Sequence, residues 1–366
     1  MANIELRNYE AIAYAITPWQ LRGIEAALDY IYNIKKEKFR CLVIMAEHNI
    51  TGRCISKDEF NINHDFYDAD IVYVDKWHFS DDGIKILEET SKIVSALRDK
   101  STNPVYVLNA GKVDLRWIRY IKKSINRNIV YVLMDDGTGS YTSYAGLEHS
   151  EYKIFKNYLY NCCVKFMKKR ETLIDFRLLC FSKGELVENS WVSEYYKNAL
   201  VRTARLEQGV YCYYMDKIII NSQCLFDNKE IAANEDIDTF EVLSKLLPEN
   251  IEVTLKPHPR EKSLDRYAQF NWRLVPNINC TQEEIFAGLQ VNPKMVIGIT
   301  SSTLVNLHAL FGIKTISLAK LFLKRNLPEG IRKDTSDFIK MYKNIVEMPE
   351  DEAELKQIIA PLLDRR

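Results

Sequence analysis

Three polar motifs in this sequence each come directly after an apolar run. They are a carboxylate pair at Asp135–Gly137, a histidine flanked by prolines at Pro257–Pro259, and a hydroxyl cluster at Ser301–Thr303. A carboxylate can act as a general base on a hydroxyl, and a histidine can bind a phosphate or give a proton to a leaving group. Hydroxyls and N–H groups at the start of a helix bind anions. These residue types therefore suit chemistry at a hydroxyl and a phosphate.

The first motif, Asp-Asp-Gly, occurs twice in the chain. At Asp81–Gly83 it precedes a helical pattern, and capping of that helix explains it without a further function. The later copy, Asp135, Asp136 and Gly137, follows the apolar run Asn128–Met134. Open α/β sheets bind ligands at the carboxyl ends of their strands, so the later copy is the candidate base, with the glycine permitting an unusual backbone path. The alternative is a loop acid that only caps the next element.

The second motif lies at the end of the predicted strand Glu252–Pro259. A residue before proline favours an extended backbone, so Lys256 and His258 are both held straight, and Pro259 stiffens the end of the strand. A histidine presented in this way can contact a phosphate or donate a proton. The alternative is a stiff turn in which the histidine has no function.

The third motif follows the strand-like run Met295–Thr300 and leads into a helical pattern. Ser301, Ser302 and Thr303 are therefore predicted to start a helix and to form an anion site, and the alternative is a serine that only caps the helix. The segment Met295–Ile313 has no formal charge over a membrane-spanning length. Its polar interior nevertheless predicts a strand, a turn and a helix, and we predict no transmembrane helix.

A further pair of carboxylates, Glu283 and Glu284, starts a short helix that Thr281 is predicted to cap. Both come before the serine cluster, in the same half of the chain as His258. Either carboxylate could bind the hydroxyls of a ribose. The pattern alone does not choose between them.

The composition excludes some classes of protein. Lys and Arg together number 50, as do Asp and Glu, so a globally basic nucleic-acid binder is not expected. Eight cysteines without a C-x-x-C pair, and no signal peptide, predict free thiols in a reducing cytoplasm. Cysteine and histidine do not cluster at ligand spacing, and the triplet Asp68–Asp70 comes before a strand instead of after one, so we predict no metal site.

Strand-like runs alternate with helical patterns in both halves of the 366-residue chain. The predicted strands are Ala11–Thr17, Cys41–Glu47, Asp70–Asp75, Pro104–Ala110, Asn128–Met134, Lys217–Ser222, Glu252–Pro259, Trp272–Pro276, Met295–Thr300 and Lys314–Ala319. Continuous Val, Ile and Tyr runs separated by helices predict parallel sheets that are buried on both faces. The length is natural for two domains.

We therefore predict an α/β protein with two doubly wound, Rossmann-type domains facing a central cleft, as in the GT-B glycosyltransferases. The first domain spans residues 1–170 and carries the candidate base. Residues 171–215 form a connecting region that is hard to read, and residues 216–366 form the second domain. The last helix belongs to this second domain in sequence and could pack either on it or back on the first domain.

The order of these motifs resembles the bacterial sialyltransferases that build capsule and lipooligosaccharide. The family's Asp/Glu-Asp/Glu-Gly, His-Pro and Ser-Ser/Thr motifs correspond here to Asp135–Gly137, His258–Pro259 and Ser301–Ser302. The early stretch Thr17–Leu21 looks like the family's Thr-Pro-x-His/Gln-Leu segment. The resemblance covers motifs spread over most of the chain and implies a cytoplasmic glycosyltransferase of bacterial polysaccharide synthesis.

The resemblance implies that sialic acid moves from CMP-sialic acid, with inversion, to a hydroxyl of a galactose-type acceptor in a surface glycan. Asp135 then corresponds to the base for the acceptor hydroxyl, and Asp136 is the less favoured choice. CMP-sialic acid is a substrate, and we expect no cofactor and no metal because CMP carries a single phosphate. The residues expected on the acceptor side are Thr17, Gln20, Gly137 and Tyr141.

On the donor side, the resemblance implies that His258 contacts the donor phosphate and assists the departure of CMP. Ser301 and Ser302 correspond to the family's phosphate-binding serines. The spacing to the serine pair assigns the ribose to Glu284 rather than to Glu283. The further donor-binding residues are Lys256, Pro259 and Thr303.

The implied partners are the CMP-sialic acid donor and an oligosaccharide acceptor, without nucleic acid. The resemblance is compatible with a lipid-linked acceptor, with a homodimer and with peripheral contact at the inner face of the membrane. The basic, apolar stretch Leu318–Leu327 is the candidate for that contact, with a solvated helix face as the alternative.

Two alternative functions stay open. Another CMP-, CDP- or sugar-nucleotide-dependent surface-polymer transferase, such as a glycerophosphotransferase or a hexosyltransferase, would share some of these features. The carboxylate at Asp135 and the absence of Thr-Asp-Tyr before Ser301 argue against the glycerophosphotransferases. A non-catalytic sugar-nucleotide-binding protein would leave Asp135 without a function.

Overall fold

The computed structural model describes the chain in separate ranges. The described residues are 9–46, 59–74, 103–110, 128–135, 162, 165–167, 169–170, 172–182, 185–204, 209–231, 234–276, 281–289 and 293–363. Asp136, Gly137, Tyr141 and the earlier Asp-Asp-Gly copy lie outside the described residues, and their predicted roles stay predictions.

The chain forms two compact units and passes between them more than once. Unit 1 contains Met1–Arg177 and Trp191–Thr203, and unit 2 contains Leu178–Ser190 and Ala204–Arg366. Residues 171–215, predicted as a connecting region, are thus shared between the units. They contain a strand, a hairpin and a helix.

Unit 1 is built on a six-stranded sheet in which every strand pair is parallel. Its strands are β1 (Ala11–Ala15), β2 (Phe39–Ala46), β3 (Tyr67–Val74), β4 (Val105–Ala110), β5 (Ile129–Met134) and β6 (Leu173–Phe176). Their order is β3-β2-β1-β4-β5-β6, which is the doubly wound order of Rossmann domains. The sequence predicted all of these strands except β6, which extends the sheet beside β5.

Unit 1 also contains α1 (Pro18–Lys35), which packs on β1, β4 and β5, and α2 (Ser190–Thr203), which contacts Phe176 of β6. Helix α1 begins at Pro18 and is buried throughout from Gln20 to Asp29, including its charged residues there. Helix α2 joins the unit through aromatic rings. Tyr30 of α1 lies 5.0 Å from Trp191, and Phe176 of β6 lies 5.9 Å from Tyr196, both measured between ring centroids.

Unit 2 contains a five-stranded parallel sheet and a short antiparallel hairpin. The hairpin strands are β7 (Leu179–Ser182) and β8 (Glu185–Glu188). The sheet strands are β9 (Ile218–Asn221), β10 (Val253–Lys256), β11 (Arg273–Leu274), β12 (Met295–Gly298) and β13 (Thr315–Ser317). Their order is β11-β10-β9-β12-β13, and each coincides with a predicted strand.

The helices of unit 2 pack on this sheet around one apolar core. Those described are α3 (Glu235–Leu246), α4 (Gln282–Leu289), α5 (Ser302–Phe311), α6 (Ala319–Phe322), α7 (Glu329–Tyr342) and α8 (Glu352–Leu363). Leu355 and Ile359 of α8 are buried in this core. The last helix therefore packs within unit 2, which is the first of the two placements that the sequence left open.

The uncharged segment Met295–Ile313 forms β12, a turn and α5, as predicted. Its low polarity reflects burial, because β12 is buried throughout and α5 buries Leu304, Leu307 and Leu310. Within the described ranges, no helix is both long enough and apolar enough to cross a membrane.

The stretch Leu318–Leu327 does not present the apolar surface predicted for membrane contact. Leu321 and Phe322 are buried in the core of unit 2. Lys324 Nζ donates to the backbone oxygen of Glu350 over 2.5 Å. The core therefore takes up the larger apolar side chains of this stretch, and peripheral membrane contact of the protein stays a prediction.

Candidate functional site

The carboxyl ends of three adjacent strands meet at one edge of the unit 2 sheet. In the middle strand β9, Asn221 pairs with Lys256 of β10 on one side and with Gly298 of β12 on the other. Neighbouring strands lie about 4.8 Å apart, so the loops after β10 and β12 start about 10 Å from each other. These loops carry His258 and Ser301, and the structure therefore brings the second and third motifs to one sheet edge.

His258 lies half-buried in the loop after β10, with a defined proton position on its ring. The N–H of Arg260 donates to Nδ1 of His258 over 3.2 Å, so the proton of the neutral ring is on Nε2. Burial lowers the pKa of His258 to about 4, and the positive charges of Arg260 and Lys256 contribute to this lowering. At neutral pH the ring is therefore neutral, and its Nε2–H can donate a hydrogen bond to an anion.

The half-buried Lys256 and the buried Glu283 influence each other electrostatically beside this loop. Lys256 Nζ donates to the carbonyl of Pro257 over 3.0 Å. Burial lowers the pKa of Lys256, while the charge of Glu283 acts to raise it. Glu283 Oε1 accepts a hydrogen bond of 2.8 Å from Asn306 Nδ2 of α5, and burial raises the pKa of this carboxyl. The two groups place opposite charges under the carboxyl edge of the sheet.

Glu284, assigned by the resemblance to the ribose, has a local structural role at the start of α4. The N–H of Glu284 donates to Thr281 Oγ1 over 3.2 Å, and Thr281 N–H donates to Glu284 Oε2 over 2.7 Å. This reciprocal pair is a capping box. Of the two carboxylates, Glu283 is the one associated with Lys256, and the ribose assignment of Glu284 stays a prediction.

Within the third motif, the hydroxyl of Ser301 caps a helix and the hydroxyl of Ser302 does not. Ser301 is the N-cap of α5, because its Oγ accepts the N–H of Thr303 over 3.3 Å. Ser302 Oγ has no hydrogen-bond partner among the described residues. The start of a 10-residue helix thus offers N–H groups and the unengaged hydroxyls of Ser302 and Thr303, which is the arrangement that binds phosphate.

Replacement of the two serines by alanine is expected to give different losses. Ser301→Ala removes the cap and should lower the free energy of unfolding by about 1 kcal/mol. Ser302→Ala removes the hydroxyl that is predicted to donate to the phosphate of CMP, and it should weaken CMP binding about tenfold with little effect on stability. Thermal unfolding and calorimetric titration with CMP measure the two effects. A matching loss of stability in Ser302→Ala would show that its hydroxyl serves the helix.

The loop after β9 connects the other two loops, and sequence reasoning missed it. The N–H of Thr300 donates to Gln223 Oε1 over 3.1 Å, and Gln223 Nε2 donates to Thr300 Oγ1 over 2.9 Å. Asp227 accepts the N–H of Lys262 over 2.6 Å and the hydroxyl of Ser263 over 2.5 Å. A signal existed, since these residues also follow a buried apolar strand, as the three motifs do.

The candidate base in unit 1 is held at its backbone by α2. Asp135 directly follows β5, is 1% exposed, and donates its N–H to Tyr196 Oη over 3.3 Å. The Tyr196 ring is buried between Trp19, 5.4 Å away, and Phe176, 5.9 Å away between centroids. The region that the sequence left unassigned therefore contributes to the position of Asp135.

A buried ion pair lies at the end of β6, the neighbour of β5. Arg177 donates from Nε and Nη2 to the two carboxylate oxygens of Asp175, over 2.6 and 2.8 Å. Asp175 pairs in register with Leu133, two residues before Asp135. The ion pair thus adjoins the strand end that carries the candidate base. Sequence reasoning missed it because β6 is short and contains a charged residue.

The predicted acceptor-side residues Thr17 and Gln20 start α1. Thr17 Oγ1 accepts the N–H of Gln20 over 3.2 Å, and Gln20 Oε1 accepts the N–H of Ile16 over 2.7 Å. This arrangement is a variant of the capping box in which the glutamine accepts the N–H one residue before the N-cap, and it explains the Thr-Pro-x-Gln spacing through helix formation. A role of either side chain toward the acceptor stays a prediction.

Gly23 of α1 lies against the tyrosine that holds Asp135, and a methyl group there should disturb it. A Cβ at Gly23 would lie 2.8 Å from Tyr196 Oη but 3.5 Å from Cζ of the same ring. Gly23→Ala is therefore expected to cost about 1–3 kcal/mol of stability and to lower activity. In a Tyr196→Phe background, the clashing oxygen is absent and the same substitution should cost less than about 0.5 kcal/mol. Denaturant unfolding of the four proteins measures this coupling, and equal costs in both backgrounds would contradict it.

The Asp68–Asp70 triplet lies within β3, where its carboxylates are engaged. Asp68 pairs with Lys38 over 3.0 Å, and Asp70 pairs with Arg40 over 3.2 Å. The triplet therefore ties β3 to the end of the neighbouring strand β2. In the part of the chain that the structure describes, no three His, Cys, Asp or Glu side chains are grouped to hold a metal ion.

Comparison with known proteins adds a family and a fold. The family model for alpha-2,8-polysialyltransferases (POLYST) matches residues 11–320. No curated protein sequence matches the chain. Among solved structures, an alpha/beta-galactoside alpha-2,3-sialyltransferase from Photobacterium phosphoreum is similar with a TM-score of 0.52 and 10% identity, covering 93% of this chain and 99% of its own.

A second solved structure has the same kind of fold. It is a candidate UDP-N-acetylglucosamine 2-epimerase from Listeria monocytogenes, with a TM-score of 0.53, 11% identity, and coverage of 98% of this chain and 89% of its own. At these identities the likenesses concern the fold alone. The predicted two-domain, Rossmann-like GT-B fold is confirmed.

Proposed function

The chain belongs to the alpha-2,8-polysialyltransferase family, and from that premise we propose that it is a metal-independent, inverting sialyltransferase that uses CMP-sialic acid. The observation that carries the proposal is the carboxyl edge of the unit 2 sheet. There the side chains of Lys256 and His258 and the start of α5 at Ser301 gather donors and positive charge beside one another. Such an edge suits the single phosphate of CMP.

In the proposed reaction, the acceptor hydroxyl attacks the anomeric carbon of the sialic acid. Asp135 takes the hydroxyl proton, the acceptor oxygen forms the new bond, and the bond from the anomeric carbon to the phosphate oxygen breaks. The bonding electrons leave with CMP. The developing negative charge on the phosphate is met by His258 Nε2–H and by the N–H groups and hydroxyl at Ser302. Attack from the face opposite CMP inverts the configuration.

The sequence resemblance and the family description imply different acceptors. The sequence resemblance implies a galactose-type hydroxyl, whereas the family description names an alpha-2,8 linkage to sialic acid. We propose that the acceptor is a glycan of the bacterial surface, made in the cytoplasm on a lipid-linked or free oligosaccharide. Capsule and lipooligosaccharide are the two classes of product to compare.

The deciding experiment incubates the full chain with CMP-sialic acid and EDTA. Two acceptors are offered in parallel, lactose and a short alpha-2,8-linked oligosialic acid, and products are separated by chromatography and assigned by mass and linkage-specific sialidases. We expect CMP release coupled to elongation of one acceptor. No transfer and no CMP binding would contradict the proposal. Turnover of CDP-glycerol or a UDP-hexose instead would favour the alternative polymer transferases.

A further inference from the structure

The loop that carries His258 is held by one buried carboxylate. The N–H of His258 donates to Ser222 Oγ over 3.1 Å, and the Ser222 hydroxyl donates to Glu261 Oε2. The N–H of Glu261 in turn donates to the carbonyl of His258 over 2.9 Å. Both backbone polar groups of His258 are therefore tied to Glu261, one directly and one through Ser222.

The surroundings of Glu261 give this arrangement little freedom. Ser222 is 4% and Glu261 9% exposed, and the hydroxyl of Tyr267 donates to Glu261 Oε1 over 2.7 Å. Burial raises the pKa of Glu261, while the hydrogen bonds from Ser222 and Tyr267 act to lower it. A buried carboxylate is tolerated only with such donors in place, so displacing the loop would leave it without partners.

The two prolines beside His258 cannot by themselves fix the direction of its ring. They keep the backbone extended, but they lack N–H groups and leave the loop with few backbone hydrogen bonds. The direction of the His258 ring therefore depends on the side chains that bind its peptide groups. Ser222 and Glu261 bond the backbone of His258 and not its ring, so any effect passes through the backbone.

We propose that Glu261, acting through Ser222, is a positioning residue that holds Nε2 of His258 at the sheet edge. The inference rests on the proposed function, in which Nε2–H contacts the phosphate that leaves. Misplacing a reacting group by about 1 Å can cost about 100-fold in rate. Loss of the Ser222 link should therefore reduce turnover while leaving much of the donor binding to the other groups at the edge.

Steady-state kinetics test this with Ser222→Ala, Glu261→Gln and a matched control, Ser263→Ala. The control removes a serine hydroxyl from the same loop, where it bonds Asp227 over 2.5 Å. In Ser222→Ala and Glu261→Gln we expect kcat to fall about 10- to 100-fold with KM within about threefold. In Ser263→Ala, kcat should stay within about twofold. An equal fall in Ser263→Ala would overturn the proposal, because loop stability alone would then explain the loss.

A second readout needs no turnover. The ring proton of His258, assigned in NMR spectra with His258→Gln, should titrate with a pKa of about 4 in the wild type. In Ser222→Ala and Glu261→Gln this pKa should move toward the ordinary value of about 6.5, because a ring released from its position becomes exposed to water. An unchanged pKa in both variants overturns the positioning role even if the enzyme is active. A moved pKa in a chain without transfer activity would support positioning and reject the proposed function.

Discussion

Replacing Asp135 by asparagine is expected to lower the rate of sialyl transfer by about 1,000-fold or more. The amide has nearly the same size but cannot accept the proton of the acceptor hydroxyl. Affinity for CMP should stay within about twofold, since the proposed donor site is built from residues of unit 2 and Asp135 belongs to unit 1. Single-turnover kinetics with CMP-sialic acid and calorimetric titration with CMP measure the two quantities.

The matched control is Asp68→Asn, another carboxylate-to-amide change in unit 1. The side chain of Asp68 is 52% exposed in its pair with Lys38, so this change should leave transfer unaltered. Equal losses of rate and CMP affinity in Asp135→Asn would show that Asp135 supports the fold or the donor site. Wild-type rates in Asp135→Asn would move the base to Asp136, the less favoured choice.

The second large effect is expected at His258. His258→Gln removes the Nε2–H donor proposed to stabilise the departing phosphate, and kcat should fall by about 100- to 1,000-fold. CMP affinity should fall less, because Lys256 and the start of α5 remain. His308→Gln provides the control within unit 2, since His308 Nε2 lies 3.3 Å from Glu188 Oε1 on the hairpin. Comparable loss in both histidine variants would contradict a specific role for His258.

The low pKa of His258 also predicts how CMP binding depends on pH. In the free protein the ring protonates only near pH 4, whereas a bound phosphate favours the charged ring and raises its pKa. Between these two pKa values, binding takes up a proton. The ratio of the CMP affinity of the wild type to that of His258→Gln should therefore rise as the pH falls from 7 toward 5. Protonation of CMP itself affects both proteins equally and cancels in this ratio. A ratio independent of pH would contradict this.

The same shift has a consequence for stability without ligand. The folded-state pKa of His258 is below its unfolded value of about 6.5, so protonation favours the unfolded chain. The stabilisation from keeping this ring neutral is present above pH 6.5 and is lost as the pH falls toward 4. CMP opposes the loss because it favours the charged ring in the folded state.

The strands of both sheets could largely be predicted from the sequence, whereas β6 and α2 could not. Runs such as Ile129–Met134 are apolar throughout, and this local composition is sufficient to indicate a strand buried on both faces. Strand β6 has only four residues, includes Asp175, and is defined by pairing with β5. Pairing between distant segments leaves no periodic pattern in either of them.

The candidate site, too, could be predicted from the sequence only in part. The sequence indicated Asp135, His258 and Ser301 as candidates because each follows a buried strand, and strand ends are local features. The pattern left Glu283 and Glu284 open, and the resemblance favoured Glu284 for the ribose, which stays a prediction. In the structure the Thr281 N–H donates to Glu284, and Glu283 is the carboxylate associated with Lys256. Two neighbouring glutamates at the start of a helix differ only in the direction of their side chains, and that direction depends on how the helix packs.

By itself, the sequence determined the alternation of strands and helices, the two Rossmann-type halves and the residues able to act on a hydroxyl and a phosphate. These follow from local periodicity and from the residue types at strand ends. Only the tertiary structure decided that β9 separates β10 from β12, so that Ser222 and Gln223 link His258 to the start of α5. Strand order and hydrogen bonds between loops arise from contacts between residues far apart in the chain, and no local pattern specifies them.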